Sequence, residues 1–343
     1  MRISVVVLMT VAFFLGASAR AQESGVFTET AEIEDQSAAE LDIGAKKALL
    51  SLLRSLTLET DQRKLAPILS QTKGLLKQAI FLGESQDFFR GKQRVSYDFD
   101  AQAVTQAIFG AGLGLVPNAR PRPLLWWVTR EPDGHYGYLD VNQDADLIAS
   151  AKAALREFRL DFDLPLYDLT DTLAVNPDAL WQGQALPIAR AMLRYAPQTQ
   201  RIVKWAKLAD DRVLLSVLSL DDGRLNTQLE SVYPSQEVAL MALIEALART
   251  VRNGLAVVAD DTDLPEIVID GLKDFQDYRR IIRLLESNVF VESVQVQRLT
   301  GQSLTLTVES PASAQQFKQI LQDSLGLKFL ELNDAAMRFE VSR

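Results

Sequence analysis

From residue 260 to the carboxy terminus the sequence alternates strand and helix patterns in the order βαβ then βαβ, which constrains the chain more than any other feature. Ile267 to Ile269 reads as a strand, and Asp274 opens a helix that turns Phe275, Tyr278, Ile281, Ile282 and Leu285 inward. Strands follow at Val291 to Leu299 and Leu304 to Val308, separated by Thr300-Gly301. A second helix carries Phe317, Ile320 and Leu321 and leads into a strand from Leu327 to Leu332. Asn333-Asp334 then turns the chain into a strand holding Met337, Phe339 and Val341. The order predicts a ferredoxin-like βαββαβ module, helices layered on an antiparallel sheet, with one strand added.

Two more modules precede it. Pro117-Asn118, Pro121 and Pro123 interrupt the pattern between the first and second. Asp260, Asp261, Asp263 and Pro265 follow a long helix and read as a solvated linker before the third. The expectation is a multidomain α+β protein with an amino-terminal α+β domain (22–118), a central mixed α/β domain (119–259) and the ferredoxin-like domain (260–343).

In the first, Val26 to Glu34 is β-rich. Ser37 to Leu58 then places Leu41, Ala45, Ala48, Leu49, Leu52, Leu53 and Leu56 on one helical stripe. A helical segment from Asp61 to Lys77 is broken by Pro67 and Gly74. Strands Gln78 to Leu82 and Arg94 to Phe99 follow, and a helix from Asp100 stops at Gly110, Gly112 and Gly114. These glycines come after a helix, so they read as a stop rather than a phosphate-binding loop.

The central module opens on Leu124-Leu125-Trp126-Trp127-Val128, which has the length and content of a buried strand, followed by the turn Pro132-Asp133-Gly134 and a return through Tyr136 and Tyr138. Helix Ala145 to Phe158, strand Leu160 to Tyr167 and helix Leu186 to Tyr195 come next. Strands Arg201 to Leu208, Val213 to Leu218 and Leu225 to Tyr233 complete the alternation, with Asp221-Asp222-Gly223 as a hairpin turn. Ser235 caps a last helix whose predicted core stripe is Val238, Met241, Leu243, Ile244, Leu247 and Val251.

At the other end, Arg2 precedes an apolar run from Ile3 to Leu15, and Ala19-Arg20-Ala21 closes the segment with small-residue spacing. This predicts an export signal over residues 1–21, cleaved after Ala21, and a periplasmic location. The run is shorter than the roughly 20 residues that span a bilayer, and no later stretch approaches that length, so no transmembrane segment is expected after cleavage. Two basic residues, Arg2 and Arg20, and no acid leave with the signal, moving the net charge from -9 to -11. An acidic chain lacks the clustered cations that nucleic acid demands, so no nucleic-acid partner is expected. Zero cysteine rules out disulfides, thiol nucleophiles and Cys-ligated metals, and leaves core packing to hold the fold.

Catalytic patterns are sparse. The one histidine, His135, sits beside a predicted turn, and no Gly-x-Ser-x-Gly elbow accompanies it. Asp140, Asn142, Asp144 and Asp146 match the opening of a calcium loop, but Ala145 stands where its glycine and Ala151 where its bidentate acid belong. They read as the charged start of a helix. Trp126, Trp127, Trp181 and Trp205 read as core rather than as a sugar-stacking surface. What remains are two acid pairs, Asp161 with Asp163 and Asp168 with Asp171. In the first, alternation with Leu160, Phe162 and Leu164 puts both acids on one side.

Arg120-Pro-Arg-Pro-Leu-Leu-Trp-Trp-Val128, Arg159-Leu-Asp-Phe-Asp-Leu-Pro-Leu-Tyr-Asp-Leu-Thr-Asp171 and Gly271-Leu-Lys-Asp-Phe-Gln-Asp-Tyr278 together resemble a family of exported proteobacterial proteins catalogued as a domain of unknown function. The resemblance covers most of the chain after residue 21. It implies an envelope location in a Gram-negative cell and brings no catalytic residues.

The sequence therefore points to a non-catalytic binding, assembly or scaffold component of the envelope, its partner an envelope protein or cell-wall component, with no catalytic, cofactor-binding or metal residue assigned. The alternative is an envelope hydrolase acting on a glycan or peptide through Asp161, Asp163, Asp168 or Asp171. A two-lobed solute-binding protein fits less well, because the third domain is short.

Overall fold

The computed structural model describes residues 25–84, 92–117, 120–195, 199–208, 210–259, 264–332 and 336–341. The segment read as an export signal, the acidic run Asp260, Asp261 and Asp263, and the expected Asn333-Asp334 turn lie outside these residues. The described part is mixed α+β, with three sheets.

The first sheet comprises β1 (Thr28–Ile33), β2 (Leu76–Glu84) and β3 (Gln93–Phe99), antiparallel in the order β1-β3-β2. The helix α1 (Ala38–Thr57) starts where the Ser37 hydroxyl accepts the Glu40 N–H at 3.2 Å, and it buries the expected leucine stripe. α1 lies so close to the sheet that a Cβ on Gly44 would overlap the Tyr97 hydroxyl and sit 2.6 Å from Ile33 Cγ2. The broken segment resolves into α2 (Gln62–Leu69) and α3 (Thr72–Leu75), and α4 (Ala101–Gly110) ends at the expected glycines.

The central sheet follows the order β5-β4-β6-β7-β8, built from β4 (Leu124–Arg130), β5 (Tyr136–Tyr138), β6 (Gln200–Lys207), β7 (Val213–Asp221) and β8 (Arg224–Tyr233). β4 and β6 run parallel, while the other neighbours are antiparallel. Leu125 and Trp127 of β4 face α5 (Ala145–Arg156) and α9 (Gln236–Leu255). Leu124, Trp126 and Val128 face α7 (Pro177–Gln182) and α8 (Ala185–Met192). Both indoles are fully buried; at roughly 150–250 Å² apiece and about 25 cal/mol per Å², each removal from water contributes on the order of 5 kcal/mol before entropy.

Three expectations for this module need correction. The stretch from Leu160 to Tyr167 is no strand: it touches β4 through one isolated bridge, Asp163 opposite Leu124. Pro165 has no N–H to offer a ladder, and Arg159 and Tyr167 both take positive φ, at 47° and 50°. A short helix α6 (Leu169–Ala174) and α7 occupy residues for which no helix was expected. The α9 stripe is rotated, since Val238 and Met241 are 45% and 53% exposed while Ala239, Leu240 and Ala248 are buried.

The third sheet has the order β10-β11-β9-β13-β12, from β9 (Glu266–Asp270), β10 (Ser293–Thr300), β11 (Ser303–Glu309), β12 (Leu327–Leu332) and β13 (Ala336–Val341), with α10 (Phe275–Glu286) and α11 (Ala314–Leu325) as connections. In a four-stranded βαββαβ sheet the last strand lies beside the first. Here β13 takes that place, parallel to β9, and β12 pairs outside it. On α10, Ile281 and Leu285 are buried but Phe275 is 66% exposed, stacked on Tyr278 instead of turned inward.

The modules are bonded across their boundaries. Arg120 donates from Nε to the Pro117 carbonyl at 3.0 Å and from its two other nitrogens to the carbonyls of Phe158 and Ser55. Arg54 pairs with Glu157 at 2.8 Å and Arg159 with Glu29 at 2.6 Å. Leu115 and Val257 exchange backbone hydrogen bonds at 2.8 Å inside an apolar cluster that holds residues of both the first and third sheets. Gly114 beside them would place a Cβ 2.9 Å from that of Ala256. We expect Gly44→Ala to lower stability by about 1–3 kcal/mol through overpacking against Tyr97, and Tyr97→Phe in the same chain to recover part of the loss. Urea unfolding of the two variants measures both effects; a neutral Gly44→Ala would contradict the close approach of α1.

Candidate functional site

The four candidate acids lie along the segment that runs from the β4 edge into α6. Its geometry follows from a vacancy in the sheet: β5 covers only Val128 to Arg130 of β4, leaving the N–H groups of Leu125 and Trp127 to be satisfied elsewhere. Leu125 N–H donates to the Asp163 carbonyl at 2.9 Å, and Trp127 N–H donates to the Tyr167 hydroxyl at 2.8 Å. A tyrosine side chain thus stands in for a strand.

Asp161 and Asp163 point to the same side, as alternation predicts, and meet one guanidinium. Arg122 lies 2.9 Å from Asp161 and 2.7 Å from Asp163, with Lys152 at 4.0 Å from Asp161. Both carboxylates are well exposed. Two acids bridged by a solvated arginine form a surface ion cluster, each pair worth little individually.

Asp168 and Asp171 are built differently. Asp168 caps α6 by accepting the Asp171 N–H at 3.1 Å, and it takes a two-point contact from Arg194 at 2.6 and 2.8 Å. The Arg194 contact, with the Asp171 N–H, holds the Asp168 carboxyl down at about 2. Asp168 is therefore ionised at neutral pH and has no proton to give. Asp171 is only 1% exposed and accepts from Arg194 at 2.9 Å, the Tyr195 hydroxyl at 2.7 Å and the Tyr167 N–H at 2.9 Å. Tyr195 in turn accepts the Leu166 N–H at 2.9 Å. Aromatic rings close the network: Tyr167 stacks on Tyr138 at 4.3 Å, and Trp126 meets Tyr167 and Tyr195 edge-on at 6.2 and 5.8 Å. Burial raises the Tyr138 hydroxyl to about 12 and drives Tyr167 higher still, so both stay protonated as donors.

With three donors from Arg194, Tyr195 and the Tyr167 N–H, Asp171 is a structural knot tying α6 to Leu193–Tyr195, the short 3-10 turn after α8. Sequence reading named both acids but not Arg194, Tyr195, Tyr167 or Arg122, since nothing in their spacing marks them. His135 is exposed on the expected turn, its N–H donating to Asp133 at 3.0 Å. Asp144 precedes α5 but leaves its amides uncapped, reaching back to the Asp140 N–H at 2.9 Å. Among the described residues no group of three acids or histidines is placed to hold a metal ion, and no helix is long and apolar enough to cross a membrane. Trp126, Trp127 and Trp205 are core residues, which leaves Trp181 alone of the four at partial exposure.

The same network presents a surface. Leu169 and Leu173 fall on one side of α6, Leu166 lies just before its cap, and Leu186 and Leu193 lie seven residues apart along α8 and the 3-10 turn after it; all five are 65–78% exposed. The two helices pack against each other. Single exposed leucines are ordinary, but five on and beside one helical pair are not.

No family model matches this chain, and no curated protein matches it.

Replacing Asp171 by Asn should cost about 3 kcal/mol, because it strips the charge that compensates a third-exposed arginine, whereas Tyr195→Phe should cost about 1 kcal/mol. Asp168 has its pKa lowered on folding, so its contribution is complete above about pH 4 and fades as pH falls toward 2. The stability difference between the native chain and Arg194→Gln should therefore be flat from pH 5 to 8 and shrink below pH 4. A difference that grows on acidification would rule out this assignment.

Proposed function

We propose that the protein is a periplasmic, non-catalytic binding or assembly component of the Gram-negative cell envelope, and that it docks an envelope protein on the α6–α8 face of its central module. The observation that carries this reading is the set of five exposed leucines on and beside the α6–α8 pair, which Asp168, Asp171, Arg194 and Tyr195 lock together. Apolar side chains held rigidly in water lose little further entropy on association, which is what a protein-docking surface requires. The location rests on the export-type first 21 residues and on the resemblance to exported proteobacterial proteins. For the hydrolase alternative, Asp161 and Asp163 are tied up in an open ion cluster on Arg122, Asp171 is taken up by Arg194, Tyr195 and the Tyr167 N–H, and Asp168, held ionised by Arg194, has no proton to give as a general acid.

A photo-crosslinking residue at position 169 or 193, in a Gram-negative cell producing the chain, should give a discrete adduct with an envelope protein. The same residue at Arg249, on exposed α9, should give none. The double variant Leu169→Glu, Leu193→Glu should lose the adduct with its melting temperature unchanged. Recovery of monomer alone from positions 169 and 193 would count decisively against the docking face, and an intact first 21 residues on the recovered chain would count against export.

A further inference from the structure

On the opposite face of the central sheet lies a partly open, mainly apolar pocket of about 150 Å³ with one cation in its wall. Its lining comes from three places: Pro121 and Pro123 on the approach to β4, Arg201 at the start of β6, and Leu247, Val251 and Leu255 on the last turns of α9. Arg201 shares its side of β6 with the buried Val203 and Trp205, so its guanidinium extends under α9 rather than out from the sheet edge.

Arg201 is incompletely satisfied. One terminal nitrogen donates to the Gln200 carbonyl at 2.8 Å, while Nε is buried with no hydrogen-bond partner among the described residues. No carboxylate among them forms an ion pair with it. Burial lowers its pKa, and the acid that offsets this by charge, Asp221, is itself engaged by the Ser219 hydroxyl at 2.6 Å and the Asn226 amide at 3.0 Å. The other polar groups of the wall are modest: Thr250 gives its hydroxyl hydrogen to the Ala246 carbonyl at 3.0 Å, and Thr199 stands beside Arg201.

We propose that this cavity binds a carboxylate carried on a small apolar body. The Arg201 guanidinium lines the pocket and has terminal N–H groups beyond the one given to Gln200, which a carboxylate can accept, and a single positive charge balances a single negative one. A phosphate dianion would bring a second negative charge that a mainly apolar wall with one cation does not balance. The size is set by the cavity: about 150 Å³ is the volume at which an apolar protein cavity accommodates a benzene ring. The acid is either a free small molecule or the last residue of a polypeptide, and both present the same chemistry. The site lies across the sheet from the α6–α8 face, so it stands or falls independently of that surface.

Benzoate is the probe. Added to the purified ¹⁵N-labelled protein, it should shift the amide resonances of Thr250 and Gly254 saturably, with a Kd of about 1 mM for a ligand of its size. Benzyl alcohol, with the same ring and no charge, should bind at least about tenfold more weakly, as should benzoate to Arg201→Gln. A short peptide ending in phenylalanine, as free acid and as amide, separates the two sources. Tighter binding of the acid peptide than of benzoate assigns a polypeptide terminus, and weaker binding assigns a free acid. The proposal is overturned if benzoate shifts no resonance up to about 50 mM, a concentration well above the expected Kd. Equal affinity for benzyl alcohol, or full affinity in a folded Arg201→Gln protein, overturns it as well.

Discussion

Strand β4 is buried on both faces and paired along only part of one edge, and the central module is largely what those facts require. Two-sided burial demands helices above and below, which α5 with α9 and α7 with α8 provide. The short β5 leaves the amides of Leu125 and Trp127 without ladder partners, and an unpaired buried N–H costs about 1–3 kcal/mol. The chain answers with the Asp163 carbonyl and the Tyr167 hydroxyl. At Tyr167, whose hydroxyl fills that place, the backbone passes through positive φ, and Asp171 braces the turn by accepting the Tyr167 N–H. The candidate acids of the second pair are thus consequences of how an edge is closed.

A second layer of constraint joins the modules. Arg120 is partly buried and bonds only to carbonyl oxygens, one before the central module, one within it and one at the end of α1. Burial lowers it to about 10, so it stays charged at neutral pH. Charge-assisted bonds to three carbonyls offset part of the desolvation, and they cannot be met unless α1 and the central sheet hold one relative position. Glu59 acts in the same sense, bonded to Lys64 at 3.0 Å and to Arg252 of α9 at 3.1 Å.

Legibility in the sequence tracked length and regularity. The α1 stripe was readable because twenty residues give the 3.6-residue period several repeats. Helices α6 and α7, with six residues each, give it fewer than two. Their caps were nevertheless present: Asp168 before α6, and Asn176-Pro177 at the start of α7, where the Asn176 side chain accepts the Ala179 N–H at 2.8 Å. The false strand at Leu160 to Tyr167 was written by real alternation, which did put Asp161 and Asp163 together. Pro165 was the sign against a ladder, whereas the positive φ at Tyr167 has no signature in a bulky residue. Arg122 and Arg194, which decide what the acids are, come from 41 and 23 residues away from Asp163 and Asp171 respectively, and sequence carries no distance of that kind.

The rigidity of the α6–α8 face follows from the same economy of bonds. Leu166 hangs from the Tyr195 hydroxyl, Leu169 and Leu173 ride on a helix capped by Asp168, and Leu193 immediately precedes the arginine that binds both acids. The exposed side chains are therefore attached at the very points where the network is most tightly bonded. Ordering of this backbone is completed on folding, so a partner that covers the leucines gains their apolar area without ordering a loop first. Arg194 holds the Asp168 carboxyl ionised across neutral and mildly acidic pH, so the ion pair that caps α6 stays in place over that range.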